Sequence, residues 1–239
     1  MLGLWARPVD NLRISFDIEL LSADNAFTRV SPRQWQRYKV RSSYRPLNWM
    51  SFGAAVNILE SRNNVFQINN KQHNRTYGFS AAFEPNERFS FDIGYDYNDI
   101  FSTIFICYPV SPNTAGLPPC LAGPGLFGDT SIYKNRAHFG QFNLMWKPIK
   151  RVTTNLGYSV ASTSGNTLII DPNAPPGPLA YNFHKPYAGF IVDLYRGLSW
   201  RAQWNYYGYN EKEQLGLVDP TGPRDFRGNM VTLAVRYAF

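Results

Sequence analysis

A period of two runs through almost the whole of this sequence, and it decides what the chain can become. In residues 11–22, Leu12, Ile14, Phe16, Ile18 and Leu20 alternate with Arg13, Ser15, Asp17 and Glu19. Residues 35–45 set Tyr38, Val40 and Tyr44 against Arg37, Lys39, Arg41 and Ser43. The cleanest case is 89–98, where Phe89, Phe91, Ile93, Tyr95 and Tyr97 oppose Ser90, Asp92, Gly94, Asp96 and Asn98. Side chains of an extended strand point alternately to its two faces, so each segment reads as a strand with one apolar and one polar face. Helices need apolar residues three and four apart, and that spacing is nearly absent.

Similar alternation at 50–58, 76–83, 141–146, 152–160, 187–194, 198–206 and 231–239 brings the count to ten segments. About ten residues at ~3.3 Å each, tilted near 40°, cover about 25 Å, the height of the lipid-facing band of a membrane barrel. No apolar stretch approaches the roughly 18 residues of a membrane-crossing helix. The predicted fold is therefore all-β: an antiparallel up-and-down transmembrane β-barrel. About ten strands of it are present, open or partial and cut from a larger barrel, with one barrel region over 1–239. A soluble β-sandwich alternates too. The length of the segments, the aromatics at their ends and the Gly/Ser/Asn-rich opposite face argue against it.

Connections alternate between short and long. Short ones fall near 45–49, 84–88, 147–151 and 196–197, and long ones near 23–34, 61–74, 101–133, 163–180 and 210–227. Outer-membrane barrels have tight periplasmic turns and long outer loops. A strand ending at Phe239 then runs inward, with the C-terminus and short turns in the periplasm and the long loops extracellular. The short turns repeat an aromatic, any residue, then proline: Tyr44-Arg45-Pro46, Phe83-Glu84-Pro85 and Trp146-Lys147-Pro148, with Tyr195-Arg196-Gly197 as a variant. Proline presets φ for a turn and gives up a donor no ladder needs. The aromatics, with Trp49, Phe89 and Trp200, are expected in an interfacial girdle. Trp5-Ala6-Arg7-Pro8 repeats the signature, so residues 2–6 read as the tail of a strand whose beginning lies upstream. The first residues lack the features of a secretory signal.

The chain carries 24 Lys and Arg against 17 Asp and Glu, a net charge of +7. These basic residues are spread over strands and turns rather than along one helix, which argues against nucleic acid. Charges face lipid at high cost, so the lumen is the expected place for Arg13, Asp17, Glu19, Arg37, Lys39, Arg41, Asp92, Asp96, Asp193, Arg201 and Arg236. Arg37, Lys39 and Arg41 would repel one another unless acidic neighbours or bound anions compensate. One reading is a basic stripe selecting anions; the other is charges that merely pair.

Cys107 and Cys120 lie in the longest expected loop, 101–133, and read as a disulfide closing it; two free thiols are the other reading. No further ligands stand near them for a metal. Neither belongs to a C-x-x-C-H haem-attachment motif. His73, His138 and His184 are scattered over different hairpins, and no nucleophile–base–acid spacing points to catalysis. The expectation is no enzyme, no catalytic residue, no metal and no cofactor.

Residues 230–239 (MVTLAVRYAF) resemble the terminal assembly signal of outer-membrane barrels, with Val231, Leu233, Val235, Tyr237 and Phe239 at alternate positions. The resemblance implies recognition by the barrel-assembly machinery. More loosely, the long hairpins with proline-containing turns, and stretches such as 91–98 (FDIGYDYN) and 187–210, resemble the decahaem-associated barrels, the porin components of porin–cytochrome electron conduits. That likeness implies a sheath around a multihaem cytochrome, carrying electrons across the outer membrane of a Gram-negative cell. The alternatives are a passive porin with a basic lumen for small anionic solutes, and the barrel of a transporter plugged by an upstream domain. Each would meet outer-membrane lipid and lipopolysaccharide.

Overall fold

The computed structural model describes residues 1–24, 31–65, 68–109, 126–168, 180–195, 197–212 and 225–237. Its strands are β1 (Leu2–Val9), β2 (Leu12–Ser22), β3 (Gln34–Leu47), β4 (Met50–Asn63), β5 (Asn70–Asn86), β6 (Phe89–Pro109), β7 (Leu126–Ile149), β8 (Val152–Leu168), β9 (Tyr181–Tyr195), β10 (Leu198–Glu211) and β11 (Asp225–Tyr237). They form one antiparallel up-and-down sheet in chain order. β1 and β11 do not pair with each other, so the sheet is open, as an incomplete barrel would be. The expected stub at the start of the chain is a strand, and the strands number eleven rather than ten. Among the described residues no helix is long and apolar enough to cross a membrane, which says nothing of crossing by strands.

Register follows one rule from hairpin to hairpin. Leu12 opens β2 opposite Tyr44, three residues short of Leu47, where β3 meets Met50. Met50 in turn faces Phe83, three short of Asn86. Phe89 faces Trp146, three short of Ile149. Val152 faces Val192, three short of Tyr195. With the short turns level, three residues per two strands, at about 3.3 Å per residue and 4.8 Å per strand, tilts the strands by about 45°. That is the stagger a sheet needs to curl into a barrel.

The proline signature has a structural cause. Each early hairpin slips register just before its turn, between Ala6 and Val9, Tyr44 and Leu47, Phe83 and Asn86, and Trp146 and Ile149. Pro8, Pro46, Pro85 and Pro148 sit inside these slips, where the ladder asks for no donor. The residue before the slip is free to bond elsewhere. The Arg45 N–H donates to the Asn11 carbonyl at 2.7 Å, Glu84 to Trp49 at 2.6 Å, Lys147 to Arg88 at 2.7 Å and Asp193 to Arg151 at 2.8 Å. Every acceptor belongs to the turn of the preceding hairpin, so consecutive turns are tied together.

Two readings of the sequence change here. The equivalent of Tyr44-Arg45-Pro46 in the last hairpin is Val192-Asp193-Leu194, not Tyr195-Arg196-Gly197. Gly197 instead closes the turn at φ 81°, a conformation glycine adopts without the steric cost other residues meet. At the other end, Trp5 stands one residue further from its proline than the aromatics of the later repeats. It pairs opposite Ser15 and so joins the polar face rather than the girdle. One residue of offset moves a side chain to the opposite face.

Strands also reach further into the long connections than alternation indicates. β6 and β7 pair continuously out to Pro109 opposite Leu126, so 101–109 and 126–133 of the expected loop are strand. The run Ile104 to Cys107 is apolar at every position, which hides the period of two without ending the strand.

Burial sets this sheet apart from a sandwich. Among the described residues the buried apolar side chains are only Ala81, Ala137 and Ala161. Large apolar residues along one face are open instead: Leu156 is 50% exposed, Leu233 65% and Val235 70%. The chain exposes 16364 Å² for 27.3 kDa, where a compact protein of that mass exposes about 11,000 Å².

Candidate functional site

Cross-strand register puts all eleven charged residues singled out in the sequence on one face. Arg13 is opposite Ser43, Asp17 opposite Lys39 and Glu19 opposite Arg37. Arg41 lies between Ser15 and Ala55. Asp92 is opposite Asn143, and Asp96 opposite Gly78. Asp193 and Arg236 both face Ser199, and Arg201 faces Ile191 on that side. The sheet curves toward this face: one hollow of about 550 Å³ is lined from five consecutive strands, β6 to β10, and another of about 470 Å³ from β1 to β7.

The basic stripe on β3 does not stand alone. Lys39 Nζ lies 2.9 Å from Glu19 Oε1, and Arg37 Nη1 lies 3.9 Å from Glu19 Oε2. Arg37 Nε also donates to Asn57 Oδ1 at 3.1 Å. Repulsion along β3 is therefore answered by an acid from β2, and of the three cations Arg41 is the one whose cross-strand neighbours are uncharged. This wall holds fixed charges of both signs side by side.

The larger hollow holds a contact that a glycine makes possible. Asn143 Nδ2 donates to Asp92 Oδ2 at 2.6 Å, and the Tyr187 hydroxyl donates to Asn143 Oδ1. Tyr187 is on β9 and Asn143 on β7, with β8 between them, and the Tyr187 ring crosses at Gly157. A Cβ at Gly157 would run into that ring. Glycine in a strand interior weakens packing, and here it marks a close approach. Gly78 and Asp96 repeat the device: a Cβ at Gly78 would stand 2.5 Å from Asp96 Oδ1. Beside Tyr187, Arg201 donates to Gln203 at 2.8 Å and Gln203 to Asn205 at 3.2 Å, a ladder along one face of β10.

Alternation hid two groups of residues. The polar face also carries aromatics at the long-loop end of β9 and β10, where Tyr181 stacks on Tyr209 at 5.2 Å and Phe183 lies 6.4 Å from Tyr207. Lys185 Nζ sits 5.3 Å above the Tyr207 ring. There the aromatics stand on the polar face while Asn182, His184, Gly208 and Asn210 stand on the other, so the period of two is inverted and points to the wrong side. All three histidines, conversely, share the apolar face. His138 Nδ1 is 2.7 Å from the Tyr95 hydroxyl, His184 Nδ1 is 2.6 Å from that of Tyr158, and His73 stacks on Phe101 at 5.3 Å. Among the described residues no three His, Cys, Asp or Glu come together as a metal site.

Val231, Leu233, Val235 and Tyr237 alternate along the apolar face of β11, opposite Trp204, Ala202, Trp200 and Leu198. Phe239 lies outside the described residues. So does Cys120, and Cys107 is described only in its backbone register, opposite Gly128. No protein-family model matches the sequence. No curated protein matches it either.

Proposed function

We propose that this chain forms part of the wall of a bacterial outer-membrane β-barrel, with its apolar face to lipid and its curved polar face around a pore or an enclosed partner. The observation that carries this reading is the uncovered apolar face. Exposed patches beyond a few hundred Å² mark a partner or a membrane, and here the patch runs from β1 to β11. Strand tilt near 45° and lengths of 11 residues or more in β2 to β11 fit that setting. Lipid would also require the outer edges of β1 and β11 to find further strands, since bare edges leave backbone groups unbonded. On this reading the short turns and the C-terminus are periplasmic, and the alternating residues of β11 serve the barrel-assembly machinery.

Between pore and sheath, the aromatics on the polar face favour a contact surface: Trp5, Tyr181, Phe183, Tyr207 and Tyr209 offer large apolar area that a water-filled channel does not require. The sheath reading, with a multihaem cytochrome as occupant, is the one we carry forward. Planar-bilayer conductance of the intact protein tests it. Closure only after a periplasmic partner is added supports the sheath, and a steady salt-dependent current regardless of partner supports the passive porin instead.

A further inference from the structure

On the apolar face of β4 to β7 the hydrocarbon-like surface ends abruptly. Val56, Ile58, Tyr77 and Tyr97 share this face, and two residues further from the short turns it becomes charged. Ile58 pairs with Arg75, Glu60 with His73 and Arg62 with Lys71. Arg75 pairs with Asp99. Asp99 also pairs with Arg136, and Phe101 with Lys134. Arg62, Lys71, Arg75, Lys134 and Arg136 thus gather around two acids, Glu60 and Asp99.

Those acids are already engaged. Arg75 Nη2 lies 2.5 Å from Glu60 Oε1. Asp99 has His73 Nε2 at 3.4 Å and Arg136 Nε at 3.7 Å. Lys71 and Lys134 have no ion pair among the described residues, and both are exposed. A hollow of about 390 Å³ opens beside Lys71, lined in part by Glu60, Arg62, Lys71, His73, Arg75 and Phe101. The excess is concentrated on one side of the sheet. At the same level β8 to β10 present Ser162, Ser164, Asn182, Gly208 and Asn210 to this face; Lys212, just past β10, donates to Ser162 Oγ at 3.3 Å, and Asp225 and Arg227 on β11 bring one charge of each sign.

Resting on the membrane reading above, we propose that this cluster binds the phosphates of lipopolysaccharide in the outer leaflet. Excess positive charge directly above an apolar, tyrosine-edged surface suits an amphiphile whose head carries several phosphates and whose acyl chains lie along Val56, Ile58, Tyr77 and Tyr97. Arginine can grip a phosphate with two donors, and lysine adds an unpaired charge. A merely solvated rim would have no reason to concentrate five cations around two acids on one side.

The test uses the intact protein inserted into phosphatidylethanolamine vesicles, with and without lipopolysaccharide, and with heat-modifiable gel mobility to report insertion. Each basic residue near an anionic surface strengthens binding about fivefold, so Lys71→Gln/Lys134→Gln should weaken lipopolysaccharide capture about thirtyfold. Arg41→Gln, on the other face, should leave it unchanged, and higher salt should narrow the difference. The proposal is overturned if the double variant binds equally well, if dephosphorylated lipid A binds as tightly as the native form, or if millimolar inorganic phosphate displaces it. Protein that inserts but shows no preference loses this site alone. Protein that never inserts brings down the membrane reading with it.

Discussion

On the apolar face of this sheet the aromatic rings meet only those of neighbouring strands, whereas on the polar face one ring reaches across an intervening strand. Phe83 contacts Phe91 at 5.8 Å, Phe91 contacts Phe142 at 5.0 Å and Phe190 contacts Trp200 at 5.2 Å, each from one strand to the next. Tyr187 instead reaches over β8 to Asn143. Curvature explains both. A sheet bent toward its polar face spreads the apolar side chains apart and crowds the polar ones, so the crowded side needs glycines and the spread side needs a solvent that fills gaps. The charges follow the same division: on the polar face Lys39 and Arg37 share Glu19, and on the apolar face charge appears only beyond the tyrosines.

The sharpest way to break this contrast is to place one charge on each face. In lipid vesicles, Leu156→Arg should destabilise the folded protein by about 2–4 kcal/mol, the cost of a cation near mid-membrane. Asn155→Arg, its neighbour on the polar face, should cost far less. Reversible refolding into vesicles measures both, and equal effects would mean that the two faces share one environment.

Crowding is tested at Gly157. Gly157→Leu forces the Tyr187 ring off β8 and should cost about 1–3 kcal/mol, the usual toll of overpacking. The double variant with Tyr187→Ala should recover much of that loss. Recovery would tie the cost to this one contact, and no recovery would assign it to the strand itself.

The ties between turns make a smaller, sharper case. Arg45→Pro deletes the donor to the Asn11 carbonyl and should cost about 1–2 kcal/mol, since a hydrogen bond near the surface has water as a substitute. Hydrogen exchange at the β1–β2 turn should quicken while that at β8 stays unchanged. The mildest change is Glu19→Gln, which leaves Arg37 and Lys39 without their shared acid. Stability should move little, and the reversal potential of any conducting form should shift toward anions; an unmoved potential would place this face away from the ion path.

Much of this was legible in the alternation. Phe89, Phe91, Ile93, Tyr95 and Tyr97 announced both the strand and its face, because a period of two survives whenever one side meets oil and the other water. The same logic gathered the eleven charges onto one face. It failed where that contrast fades: at Ile104 to Cys107, apolar throughout, and at Tyr181, Phe183, Tyr207 and Tyr209, aromatic on the polar face. It also missed Lys71 and Lys134, which fall in or at the edge of the expected long connections, where the strands run on past the alternation. The crossing of Tyr187 over Gly157 depends on curvature, and curvature belongs to the assembled sheet rather than to any one strand.

The repeated tie from each hairpin to the turn before it has an evolutionary side. Because every hairpin advances by the same three residues and offers its neighbour the same carbonyl, a duplicated hairpin would arrive with both connections already suited to their partners. Width could then be gained or lost in whole hairpins by recombination, without redesigning any of the strands already in place.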